Sequence, residues 1–420
     1  MTPTAVRDYG EARVQALAAP VNAQVSKPEL RVLQVFSVLG MGGAETWLIS
    51  LLRYFAEHES ALPVKVKTDI LLTSGEPGLF DAEAKALGAR LFYVPFGRRY
   101  PLSFAREFRK ILRSGNYAAI HDHQDYIAGL HFLLGAGDLP KIRIAHVHNP
   151  LYHRINDANR SSRRFGQTTG KRLLSKLATH VMGTSKQILD EYGFNDPAFR
   201  RVTTDAAHCG IDPLRFSGDR RRAHQDVCEE FGWDDASRVI LFVGRLDGAE
   251  IEFEGRRMSH KNPQFALEVA RLCLEQDPSV RMILAGDGQS KRSLFEGQVA
   301  QWGLEGKICF LGTRRDIERL MLGSDLLLFP SLAEGLGMVV VEAQAAGLPV
   351  LASDTTPREA VVIPEMVDFA SLSAEPAAWA SAALERLGQA CDAAACNDAV
   401  SRSAFSIENS AKKLLSLYSA

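Results

Sequence analysis

The chain has 420 residues, 46% of them hydrophobic and 24% charged, and its 49 basic and 50 acidic side chains leave a net charge of -1. That is the balance of a folded globular protein with room for two cores; it excludes a disordered or collagen-like chain and provides no overall attraction for nucleic acid. Six scattered cysteines without a C-x-x-C pair argue against a zinc or redox centre, and no apolar run approaches the roughly 20 residues of a membrane-spanning helix. Residues 1–29 lack a signal-peptide pattern and a core face, so they are expected to form a loosely ordered extension of a cytosolic protein.

From residue 31, short runs rich in β-branched residues alternate with segments of helical period, the pattern of a parallel sheet covered by helices. The first strand is predicted over 31–38, followed by a turn at Gly40-Met41-Gly42-Gly43 and a helix with Trp47, Leu48, Leu51, Leu52 and Phe55 on one face. Further strands are predicted at 69–72, 91–94, 118–121, 142–147 and 181–184. Segment 154–176 sets Arg154, Arg160, Arg163, Arg164, Lys171, Arg172 and Lys176 against the single acid Asp157. It reads either as a solvated helix and loop or as a surface for anionic lipid headgroups or a phosphate-bearing acceptor.

The rhythm restarts at 238–243 and continues at 281–285, 307–310, 325–329 and 349–352, which predicts a second doubly wound sheet. Gly210 and Pro213 break local structure between the two series. The domains are therefore placed at 30–212 and 213–404, with 405–420 a terminal helix capped by Ser406, carrying Leu414, Leu415 and Tyr418 on one side and having the N-terminal domain as its candidate dock.

Two carboxylates, Glu334 in a loop and Glu342 in the helix after it, provide the sharpest chemical signal. A helical step of eight residues advances about 12 Å, close to the reach of a nucleotide sugar from ribose to hexose. Carboxylates accept paired hydrogen bonds from vicinal hydroxyls, and Gly335 and Gly337 would let backbone amides at a helix start approach a diphosphate. His121 and His123 end one predicted strand, and His146 and His148 with Asn149-Pro150 end the next, where strand ends face a cleft. His123 is preferred for contact with sugar or acceptor, as a hydroxyl partner or proton carrier, and His121 for packing at the strand end. A metal is not expected, because no carboxylate or cysteine completes a ligand spacing with these histidines. Gly42 and Gly43 either donate amides to a phosphate or the acceptor, or simply make the turn.

These segments, with Gly42-Gly43-Ala44-Glu45, Ile120-His121-Asp122-His123, Gly244-Arg245-Leu246, Ala285-Gly286-Asp287-Gly288 and Phe329-Pro330-Ser331 leading into the two glutamates, resemble the group-one, family-four glycosyltransferases. The likeness runs from about residue 31 to the C-terminus and is nearest to enzymes of exopolysaccharide assembly. It implies the α/β GT-B fold, two Rossmann-like domains facing across a cleft, and retaining transfer from a nucleotide-diphosphate sugar with no required cofactor or metal. By the same resemblance Glu334 holds donor-sugar hydroxyls, Glu342 holds the ribose, and Arg245 and Lys261 neutralise the diphosphate. Gly42, Gly43, Gly244, Gly335, Leu336 and Gly337 line the donor, while His121, His148 and Asn149 meet a glycan or polyprenyl-diphosphate-linked acceptor, which would place the protein peripherally on the inner membrane face. The spacing departs from the family between Arg245 and Lys261, where 247–258, with Asp247, Glu250, Glu252 and Glu254, reads as an inserted surface loop or a mobile flap, the loop being preferred. An epimerase of the same fold and a non-catalytic nucleotide-sugar-binding partner are the competing readings. A nicotinamide oxidoreductase is not, because Gly40-Met41-Gly42-Gly43 does not make G-x-G-x-x-G.

Overall fold

The computed structural model describes residues 27–97, 99–151, 160–248, 250–253, 255–389 and 391–419, without the side chains of 160–165 and Arg256. Nearly all of the expected N-terminal extension, the basic side chains Arg154, Arg160, Arg163 and Arg164, and Glu254 thus lie outside the described residues.

In the first half β1 (Glu29–Phe36), α1 (Gly43–Glu57), β2 (Lys65–Leu72), α2 (Asp81–Ala86), β3 (Arg90–Tyr93), α3 (Pro101–Gly115), β4 (Ala119–Asp122), α4 (Ala128–Leu134), β5 (Ile142–Val147), α5 (Arg160–Leu177), β6 (His180–Gly183), α6 (Lys186–Tyr192) and β7 (Thr203–Ala206) follow in order. The strands pair in parallel as β3-β2-β1-β4-β5-β6-β7. The second half runs α7 (Arg220–Phe231), β8 (Arg238–Val243), β9 (Glu250–Phe253), β10 (Arg256–Ser259), α8 (Pro263–Gln276), β11 (Val280–Ala285), α9 (Gln289–Gln301), β12 (Ile308–Gly312), α10 (Ile317–Leu322), β13 (Leu326–Phe329), α11 (Met338–Ala345), β14 (Val350–Ser353), β15 (Val367–Ala370), α12 (Pro376–Arg386), α13 (Ala393–Arg402) and α14 (Ile407–Tyr418). Its main sheet is also parallel, in the order β12-β11-β8-β13-β14-β15. Central strands covered on both faces bury unbroken apolar runs such as Val239 to Phe242 and Leu326 to Phe329.

The segment expected to be a loop or flap is instead an antiparallel hairpin, β9 with β10. Ile251 points into the core at 1% exposure while Glu250 faces solvent and pairs with Lys291 at 2.7 Å. Its alternation of apolar and acidic residues is a strand signal that the shortness of the run conceals. A tolerated loop would absorb Ile251→Ala within about 0.5 kcal/mol. With Ile251 seated in the core the expected loss is about 2 kcal/mol or more, read from the urea midpoint, and a neutral result would refute the packing described.

The chain crosses between the halves twice, side by side: Ile211 N donates to Phe405 O at 2.8 Å and Ile407 N to Ile211 O at 2.6 Å. Gly210 is required there, because a Cβ would collide with Ser410 and the Ser406–Ile407 backbone. Helix α14, capped by the Ser406 hydroxyl, then lies on α1 of the first domain. Trp47 Nε1 donates to Ser410 Oγ at 2.9 Å and Lys413 pairs with Asp205 at 2.6 Å.

The carboxyl ends of the two sheets face each other. Ser185, after β6, donates to the Gly335 carbonyl at 2.7 Å, and the backbone amides of Lys186 and Gln187 at the start of α6 donate to the Glu359 carboxylate. A negative charge is well placed at that helix start, where amides have no intrahelical partner.

Candidate active site

The loop between β13 and α11 forms one wall. Gly337 adopts φ +88 as the residue before α11, a conformation that favours glycine, and so aims the first amides of the helix into the cleft. Gly335 is needed for another reason: a side chain there would strike the His148 carbonyl oxygen of the facing domain. Leu336 is buried between them.

Glu334, also buried, accepts from Lys261 Nζ at 2.5 Å and from the Ser331 hydroxyl. The hairpin explains how Lys261 arrives despite the departure in spacing. It closes on itself and returns the chain, so that the Lys261 side chain lies over Gly244, beside Arg245. The ammonium also stands 5.1 Å from the centre of the Phe329 ring. Arg245 is exposed and held at 3.2 Å by Asp247, which also accepts from Ser290 at 2.9 Å. An acid of the supposed loop therefore orients one of the two expected phosphate-binding cations.

Glu342 lies within α11 and keeps only part of its surface in water. Its carboxyl is pushed up to about 7, chiefly because burial strips the carboxylate of water; Glu318 adds to this, and the positive charges of Arg215 and Lys261 oppose it. Once ionised, a carboxylate so placed can accept hydrogen bonds from hydroxyls.

The opposite wall holds the four histidines, the preferred His123 among them. Both nitrogens of His123 are engaged, Nδ1 with His148 Nε2 at 2.8 Å and Nε2 with Gln34 Oε1 at 2.8 Å. His121, expected to be packing, is fully buried and bonded on both sides, Nδ1 to Tyr418 Oη at 2.7 Å and Nε2 to His146 Nδ1 at 3.1 Å. His148 is the half-buried member at the cleft edge, and Asn149 beside it is exposed. Asp125 holds this corner by accepting from the His148 amide at 3.0 Å. Trp47 meets the rings of His121, His123 and His146 edge-on and that of His148 at a tilt. Burial draws His121, His123 and His146 well below the ordinary imidazole value, reinforced by the neighbouring rings, and draws His148 down to about 4. All four are neutral at pH 7. Nitrogens of His121, His123 and His146 come within 4.8 Å of one another, near enough to share a cation if their present bonds were broken.

Gly43 is exposed in open space, whereas Gly42 lies beneath the Glu45 carboxylate, which a Cβ would meet. Glu45, whose carboxyl burial pushes up, was not among the expected site residues; it stands in the Gly42-Gly43-Ala44-Glu45 segment already singled out. Gln34 and Tyr418 were missed too. A polar residue in the apolar run of β1 was the available signal for Gln34, and Tyr418 had been assigned only to a packing face.

A family model described as Glycosyl transferases group 1 matches residues 226–387, and one described as Glycosyltransferase Family 4 matches residues 41–213. EpsF of Bacillus subtilis, whose name places it among glycosyltransferases, is 30% identical over 358 residues, 85% of this chain and 87% of that protein. The Escherichia coli UDP-Gal:alpha-D-GlcNAc-diphosphoundecaprenol alpha-1,3-galactosyltransferase is 31% identical over 117 residues, 27% of this chain and 30% of that one. Anabaena Alr3699/HepE, solved in complex with UDP and glucose, superposes with a TM-score of 0.70 at 18% identity, over 93% of this chain and 99% of the other. WaaG, a glycosyltransferase involved in lipopolysaccharide biosynthesis, superposes at 0.63 and 16% identity, over 92% and 96%. With the two family models falling on the two sheets and the EpsF likeness spanning both, the chain belongs to the group 1 glycosyltransferases and has the GT-B fold.

Proposed function

We propose that the protein is a retaining hexosyltransferase that moves a sugar from a UDP- or GDP-sugar to a glycan or lipid-linked acceptor in the making of an exopolysaccharide or other cell-surface polysaccharide. The observation that carries this reading is the Lys261–Glu334 pair beside the amide-lined start of α11, facing the histidine wall. The donor diphosphate would lie against the α11 amides, Arg245 and Lys261, and its sugar against Glu334. The glycosidic carbon–oxygen bond breaks with its electron pair going to the diphosphate, whose growing charge the cations and amides stabilise. The acceptor oxygen attacks the same face, and its proton passes to a donor phosphate oxygen. Lys261 can bond to both Glu334 and a phosphate, since an ammonium has three donors. The reading is supported by the EpsF likeness, by the UDP and glucose bound in the Anabaena structure, and by the UDP-Gal in the name of the Escherichia coli relative.

The test is thermal unfolding of the purified protein against UDP, GDP, ADP and their sugar conjugates. One base at about a hundred times its dissociation constant is expected to raise the midpoint by about 3 °C. Most of that shift should vanish in Glu342→Ala and Arg245→Ala. No shift with any nucleotide would overturn this reading.

A further inference from the structure

Contacts across the cleft converge on one short segment of each domain. In the first domain it is the start of α6, whose first three amides are all capped. Ile188 N donates to the hydroxyl of Ser185, the helix's own N-cap, at 3.2 Å, whereas Lys186 N and Gln187 N donate to Glu359 of the second domain at 2.8 and 3.3 Å. Lys186 N also lies 3.0 Å from the other carboxylate oxygen, so both oxygens of Glu359 are engaged. Ser185 is fully buried, and because a carbonyl oxygen only accepts, the serine proton goes to Gly335 O at 2.7 Å. One hydroxyl caps α6 and holds a loop of the facing domain.

In the second domain the segment is 335–338, which follows directly on Glu334. A Cβ on Gly335 would come within 2.0 Å of the His148 carbonyl oxygen and 3.1 Å of Ile188 Cδ1, so the two domains touch there through backbone. Met338, the first residue of α11, packs against the cluster of Val32 and Trp47 in the first domain as well as against the core of its own. The loop that carries Glu334 is therefore held from one side by Lys261 and from the other by the first domain. We propose that Ser185 and Glu359 are positioning residues for sugar transfer: they latch the domains together and, through the Gly335 carbonyl, fix where Glu334 and the α11 amides stand. Opening the cleft breaks both links at once and removes one of the two supports of the Glu334 loop. The latch stands on the contacts alone. Its effect on transfer rests on the function proposed above.

Small-angle X-ray scattering of the full chain reads the latch without any sugar. The wild-type curve is expected to fit the closed arrangement, and Glu359→Ala, which leaves two α6 amides to water, to give a larger radius of gyration. Ser185→Ala, which cannot donate to Gly335, should change the curve in the same sense. With the donor identified by thermal shift, kcat for transfer is expected to fall about tenfold in Glu359→Ala, while the affinity for the free nucleoside diphosphate changes by less than about threefold, because the groups assigned to it all belong to the second domain. Glu359→Gln, which keeps one acceptor oxygen, should recover part of both losses. A residue that only stabilised its own loop would lower the unfolding temperature and leave the scattering and kcat as they were. A wild-type curve that fits an open cleft, or no increase in radius in either alanine variant, would overturn the latch. A larger radius with kcat unchanged would overturn the positioning role. An absence of transfer in the wild type would count against the function proposed above, and the scattering would still decide the latch.

Discussion

Replacing Glu334 by Gln is expected to slow sugar transfer about 100- to 1,000-fold while changing the affinity for the matching free nucleoside diphosphate by less than about threefold. The substitution keeps the size of the side chain and one acceptor oxygen, but it turns the other oxygen into a donor and removes the charge that Lys261 meets at 2.5 Å. Two losses follow. The donor-sugar hydroxyls meet a weaker acceptor, and Lys261 loses the anion that fixes its ammonium beside Gly244. On the function proposed above, free nucleotide carries no hexose and binds through Glu342, Arg245, Lys261 and the α11 amides, which remain. Lys261→Ala is expected to differ by weakening nucleotide binding as well as rate. If the pair were purely structural, Glu334→Gln would lower the unfolding temperature and leave the rate intact when assayed well below it. Retention of more than a tenth of the wild-type rate would therefore end the donor-sugar assignment. The comparison needs only the donor identified by thermal shift, with transfer to added acceptor or slow hydrolysis as the readout.

The sheets were legible in the sequence where strands are buried on both faces. The runs at 142–147 and 238–243 coincide with β5 and β8 because short, mainly apolar runs rich in β-branched residues have few other solutions. At the edges the signal fades. Thr203–Ala206 and Val367–Ala370 pair on one side only and keep much of their surface in water, so neither shows an apolar run. The hairpin was hidden for the opposite reason, its acids suggesting a solvated loop while Ile251 anchored it.

In the site, the carboxylates and cations stood out because their segments are short and ordered along the chain. How the histidines are held could not be read that way. The state of His123 depends on Gln34, 89 residues before it, and that of His121 on Tyr418, 297 residues after it. Hydrogen-bond direction follows from who meets whom in the fold. Residue type and spacing do not carry it.

Acid is expected to destabilise this protein steeply over about two pH units below 6.5, and the histidine wall is the cause. His121, His123, His146 and His148 are all drawn below the ordinary value by burial, His148 to about 4. As pH falls through 6.5 the unfolded chain takes up four protons that the folded one refuses, so stability falls with pH. Two carboxyls act in the other sense. Glu342, raised to about 7, and Glu45, also raised by burial, hold protons in the folded state that the unfolded chain gives up until near pH 4.5, and so return some stability on acidification. Two to three protons remain, a net slope of about 3 kcal/mol per pH unit between pH 6 and 4.5. Over that interval the loss is about 4.5 kcal/mol, a large share of a total stability of about 5–15 kcal/mol. Urea midpoints measured from pH 7.5 to 5 by tryptophan fluorescence, to which Trp47 contributes with its indole against all four rings, should fall steeply. His146→Gln is expected to be less stable at neutral pH and yet to lose one proton's worth of the slope, because its replacement does not titrate. A flat midpoint across that range, or an undiminished slope in the variant, would show that the wall takes up protons without unfolding and that its rings are better solvated than their burial indicates.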